Sequence, residues 1–317
     1  MQKSVFLLVS IFILMSSNLH AGQITLNEVQ TFLNDTDQVL HEESGEYVDG
    51  IDLYKLWGLT GITPQQLHED SDEYLFNFKV GKDDACILYT PKTELFSNDN
   101  MKILRLTENV QCDYQFFFFV KDPNSEEWLY CDHLDVYYEK YNKPKITFLN
   151  DSLFYLTQES ASGTGVYYCE TAFYLFRNNH IEHLLDIPTE GWVHGWGMAF
   201  SRDFKSTGTY TPEQLTVEYT IDISANTFYT LKRKDLPEEF PLFTAKRTVV
   251  FKRDDGNFIL DEANSHLNRK DLTDLFMGGA KEYYSMFQKE FDGLEQKNAM
   301  LQNWHTVFIN EILEEGI

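Results

Sequence analysis

The sequence predicts an α+β protein built on an antiparallel β meander, sandwich-like or partly propeller-like, with helices at both ends and the C-terminal helices packed on the sheet. Two patterns carry this expectation. From Tyr74 to about Leu260, short runs of Phe, Tyr, Val, Ile and Leu are separated by Asn, Asp and Gly. On either side of that stretch the apolar residues recur at a helical period instead. The divisions that follow are a leader over 1–21, an N-terminal helical segment over 22–70, a β body over 71–262 and a C-terminal helical segment over 263–317.

The leader places Lys3 before an apolar run from Val5 to Met15 and ends in Leu19-His20-Ala21. That run is too short to span a bilayer and reads as a cleavable export signal, so the mature chain is expected to start at Gly22 and to work in a periplasmic or extracellular space. Thr25-Leu26-Asn27-Glu28 is a capping-box pattern, and Val29, Phe32, Leu33, Thr36 and Leu40 follow at helical spacing, predicting a helix from about Leu26 to Leu40. Gly45, Gly50, Gly58 and Gly61 then punctuate a looped region, and Thr63-Pro64 opens a second short helix. This segment is expected to be helical packing without strands.

The β body begins with Tyr74–Phe78 and Cys86–Tyr89. Turn chemistry at Asp122–Ser125, Asn150-Asp151, Asn178-Asn179 and Asp255-Gly256 separates strand-forming runs, so neighbouring strands should pair as hairpins. Phe116–Phe119 is apolar on both strand faces, which requires burial from two sides. Ser160–Gly165 reads as a long flexible hairpin loop, since it leads into a strand and not into the helix that a phosphate loop needs. After Leu260, three helical stripes appear: Leu272, Leu275 and Phe276; Tyr283, Phe287 and Phe291; Leu301, Trp304, Phe308 and Ile312. Gly278-Gly279 and Gly293 divide them.

With the leader removed, 25 basic face 50 acidic residues, a formal charge of −25. Such a field repels nucleic acid and anionic lipid and favours cationic partners. No later stretch reaches transmembrane length, so no transmembrane anchor is expected. Cys86, Cys112, Cys131 and Cys169 remain, an even count that suggests two disulfides in an oxidising compartment. Three connectivities are open, with Cys86–Cys112 and Cys131–Cys169 the favoured pairing. Their spacing lacks the paired pattern of a zinc site, and no metal or cofactor is implied.

The candidate ligand-binding residues are Glu190, Trp192, His194 and Trp196. On a strand the two indoles and the imidazole share one face, and such a row stacks on sugar rings or grips an arginine. Glu159, Glu170 and Glu190 are the acids nearest to it and to the glycine-rich loop. His180 and His183, three apart, are not expected to be co-ligands, and His133 with Asp135 has the alternation of a histidine–carboxylate pair. The first functional reading is an exported soluble binding or inhibitory protein that engages a basic protein through acidic and aromatic surface. The alternative is an exported hydrolase acting on glycans, with a carboxylate pair beside the aromatic row.

Overall fold

A computed structural model describes residues 24–40, 45–61, 87–89, 91–107, 113–137, 144–163, 165–194, 200–226 and 239–313. The chain is mainly antiparallel β structure with helices towards both ends, and it gathers into two compact units that meet in sequence at Asp135 and Val136.

The first unit opens with helix α1 (Leu26–Asn34), whose capping box forms as the sequence predicts. The Thr25 hydroxyl accepts from the Glu28 amide at 3.2 Å, and the Glu28 carboxylate accepts from the Thr25 amide at 2.8 Å. Leu26, Val29 and Leu33 form its buried stripe. The helix ends six residues before Leu40, because the Asp35 amide closes the last turn onto the carbonyls of Thr31 and Phe32. The chain then enters strand β1 (Asp37–Leu40), which pairs with β2 (Tyr47–Asp52), and β2 pairs in turn with β3 (Ile87–Tyr89). The supposedly strand-free segment therefore contains most of a three-stranded sheet and only one further described helix, α2 (Leu53–Thr60). Thr63-Pro64, Tyr74–Phe78 and Cys86 lie outside the described residues.

A four-stranded meander follows: β4 (Lys92–Ser97), β5 (Met101–Thr107), β6 (Asp113–Lys121) and β7 (Trp128–Tyr137). Phe116, Phe117, Phe118 and Phe119 are all fully buried, so both faces of β6 are covered. Phe117 and Phe119 pack with Leu26, Val29, Leu56 and Trp57 from the two helices. Each such side chain contributes roughly 1.5–3 kcal/mol by leaving water.

The second unit is one eight-stranded meander in strict sequence order. Its strands are β8 (Ile146–Phe148), β9 (Leu153–Gly163), β10 (Val166–Arg177), β11 (His180–Val193), β12 (Phe200–Tyr210), β13 (Gln214–Asn226), β14 (Glu239–Asp254) and β15 (Asn257–Leu260). Asn178-Asn179 and Asp255-Gly256 make the β10–β11 and β14–β15 turns with positive φ at every position, the backbone that tight hairpins require. The loop expected at Ser160–Gly165 is instead paired strand up to Gly163, opposite Val166. Pro188 and Pro241 lie within long strands, yet each sits at a register shift where a ladder bond is interrupted anyway. The Pro188 carbonyl is recovered by the buried Tyr219 hydroxyl at 2.8 Å.

Four helices pack on this sheet: α3 (Arg269–Met277), α4 (Ala280–Met286), α5 (Gln288–Asp292) and α6 (Ala299–Val307). Gly278-Gly279 separate α3 from α4 and Gly293 follows α5, as their positions in the sequence suggest, whereas the Tyr283–Phe291 stripe, expected as one piece, is broken at Phe287 between α4 and α5. Tyr283, Phe287, Phe291, Trp304 and Phe308 are fully buried against Phe200, Phe204, Ile221 and Ile223 of the sheet. Phe291, Trp304 and Phe308 stack nearly parallel, with centroids 4.9 to 6.3 Å apart. Arg202 of β12, only 3% exposed, donates to the carbonyls of Phe276 and Gly278 and lies 4.7 Å from the Tyr283 ring centroid. A strand residue thus closes the C-terminal end of α3, where a cation also meets the negative end of the helix dipole.

Candidate functional site

Glu190 and Trp192 lie near the end of β11, and His194 directly follows its last residue. Trp192 pairs across the sheet with Tyr167 of β10 and Asp203 of β12, so the three side chains form one row on one face. The indole stacks on Tyr167 at 6.1 Å and 21°, and the His194 ring meets its edge at 5.2 Å. His194 Nε2 lies 2.8 Å from Asp203 Oδ1, with both side chains about half exposed. Glu190 faces Lys205 at 3.3 Å. Trp196 lies outside the described residues, as do the side chains of Glu159 and Asp135.

Gly191, between Glu190 and Trp192, turns to the opposite face. A Cβ there would stand 2.6 Å from the Phe204 ring, so the glycine is explained by close packing beneath the row. Asp203 is a partner the sequence did not reveal, because it is brought beside His194 by the β11–β12 pairing and not by local spacing.

Among the described residues no disulfide joins Cys131 to Cys169, the favoured pairing, and Cys86 and Cys112 lie outside that set. Cys169, two residues along β10, donates to the Tyr167 hydroxyl at 2.9 Å. Burial pushes the Cys131 thiol up to about 12, with Asp132 adding to the shift. His133 Nδ1 lies 3.4 Å from the Tyr130 hydroxyl.

A second grouping begins at Tyr168, adjacent to Tyr167 on β10 but pointing to the other face. Its ring stacks on Phe276 of α3 at 4.4 Å. Gln158 donates to Glu170 at 2.8 Å, and His183 Nε2 lies 2.7 Å from Asp186 Oδ1. The Asp186 hydrogen bond raises the His183 pKa above its usual value, against partial burial. Burial, and then the charges of Glu170 and Asp186, raise the Tyr168 and Tyr174 pKa values. Between this part of the sheet and α3 lies a cavity of about 460 Å³. Apolar side chains dominate its wall, with Tyr168, Asp186, Thr273 and Arg269 as the polar groups. Glu170 was recognisable in the sequence as an acid worth attention. Arg269 and Thr273 were not, since their meeting with β10 and β11 depends on how α3 docks.

The acidic excess is uneven between the two units. Residues 22–135 hold 7 basic and 23 acidic side chains, a net −16, whereas residues 136–317 hold 18 and 27, a net −9. Among the described residues, no group of three His, Cys, Asp or Glu side chains is placed to hold a metal ion, and no helix is long and apolar enough to cross a membrane. The chain matches no protein-family model, no curated protein and no solved structure.

Proposed function

We propose that this is an exported binding or inhibitory protein that engages a basic protein partner, with the first unit supplying the main electrostatic attraction. The observation that carries this reading is the charge distribution: −16 over 114 residues against −9 over the following 182. Asp99, Glu126 and Glu127 of the first unit are exposed in its turns, where their charge reaches solvent. A field of this sign speeds encounter with a cationic surface and weakens steeply with salt.

The glycan-hydrolase reading has less support at its own site. Glu190 and Asp203, the acids beside Trp192, are engaged by Lys205 and His194, and Trp192 has one face against Tyr167. The test is retention of exported basic proteins by the immobilised mature chain. A partner should be held at about 0.05 M salt, released by about 0.5 M, and held less well after charge reversal at Asp99, Glu126 and Glu127. Reversal at Glu213, Asp254 and Asp255 of the second unit should have a smaller effect. A partner held equally at both salt concentrations, or one indifferent to the first reversal, contradicts the proposal. Sequencing the amino terminus of the exported protein checks the expected start at Gly22.

A further inference from the structure

We propose that the cavity between α3 and strands β10 and β11 binds a small amphipathic carboxylate, with Arg269 receiving the carboxylate and the apolar walls receiving the tail. The volume, about 460 Å³, lies within the range of pockets that enclose small organic ligands. The lining supplies two kinds of surface. Leu185, Pro188, Leu272, Phe276 and Met277 form an apolar wall, and Tyr168 extends it through its stack on Phe276. Such a wall favours a hydrocarbon or aromatic body.

The charged groups at the cavity then select the head. Asp186 is partly engaged, its Oδ1 lying 2.7 Å from His183 Nε2. The Arg269 guanidinium makes no hydrogen bond and no ion pair among the described residues. Its neighbour Lys270 is held by Asp274 at 2.5 Å, and the first turn of α3 is closed by the Asn268–Asp271 capping box. Arg269 is therefore the charge at this cavity with its bonding capacity unused. A guanidinium matches a carboxylate through two parallel hydrogen bonds. Thr273, one turn along the same helix, lies at the cavity wall with its hydroxyl already donating to the Arg269 carbonyl at 3.4 Å, so the carboxylate is left to the guanidinium. This inference does not depend on the basic-partner reading, since it concerns a different class of ligand.

Calorimetry on the mature protein with decanoate, decanol and decylamine tests the proposal, each probe being used below its self-association concentration. Decanoate should bind best and decylamine worst. Arg269→Gln should weaken decanoate by about tenfold and leave decanol unchanged, as expected for loss of one charge-assisted contact. Thr273→Trp places an indole in the cavity and should remove binding of both. Thr273 and Met277 are exposed on α3, so Met277→Trp repeats the blocking test without disturbing the core. Failure of decanoate to bind, tighter binding of decylamine, or decanoate affinity unchanged by Arg269→Gln or by both tryptophan variants would overturn the proposal.

Discussion

Strands β6 and β13 are both interior antiparallel strands, yet they divide their residues between core and solvent in opposite ways. In β6 the run from Gln115 to Phe119 is buried without interruption. In β13 Leu215, Val217, Tyr219, Ile221, Ile223 and Ala225 are buried, while the residues between them are half-buried or exposed. A strand covered on both faces has no position left for charge. The first unit carries the denser acidic excess, and several of its acids lie instead in turns and on α1, at Glu28, Asp99, Glu126 and Glu127. A strand with one face open can carry charge along its length, as β13 does with Glu218 and Asp222.

The largest effects should come from adjacent substitutions in β6. Phe117→Ala and Phe118→Ala should each cost about 3–5 kcal/mol in urea unfolding, because consecutive side chains both leave cavities. In β13 the same experiment should separate neighbours: Ile221→Ala costs about 3 kcal/mol, and Thr220→Ala stays within about 0.5 kcal/mol. A cost under about 1 kcal/mol for Phe118→Ala would end the contrast. Next in size is Arg202→Ala, expected to cost about 3 kcal/mol by leaving two carbonyls of the α3 end unpaired. Arg202→Lys should recover only part of that loss, since one ammonium cannot reproduce the guanidinium fork. Asn268→Ala, which deletes the α3 cap, should cost about 1 kcal/mol.

The smallest effect is a pH dependence at His183. Its pKa is raised in the folded protein, so the stabilisation by Asp186 is complete below the unfolded value, near 6.5, and is lost as pH rises through the folded value. Half exposure of the imidazole limits this contribution to under about 1 kcal/mol. Histidine NMR resonances should titrate above the usual midpoint, and Asp186→Asn should return it towards normal. A His183 midpoint indifferent to Asp186→Asn contradicts the pairing.

The signals that were legible in the sequence were local. The Thr25–Glu28 capping box, the glycine breaks between the terminal helices and the paired turns at Asn178-Asn179 and Asp255-Gly256 depend on residues within a few positions of one another. The four consecutive phenylalanines also announced two-sided burial. α1 ends short of the expected Leu40 because pairing of Asp37–Leu40 with Tyr47–Gly50 overrides the helical spacing that Thr36 and Leu40 continue. The small residues Ser160–Gly163 carry little strand propensity, and pairing with β10 overrides it. At the candidate site, the shared face of Trp192 and His194 followed from strand alternation. Asp203 and Arg269 depend on which strand and which helix become neighbours, information that a linear spacing does not hold.

Arg202 also bears on the order in which the molecule is made. It precedes α3 by more than sixty residues, so the group that closes the helix leaves the ribosome well before the helix itself. A nine-residue helix is marginal on its own. During synthesis α3 should therefore remain unformed until the sheet carrying Arg202 is ready to receive its last turn, and the cavity wall is completed only then.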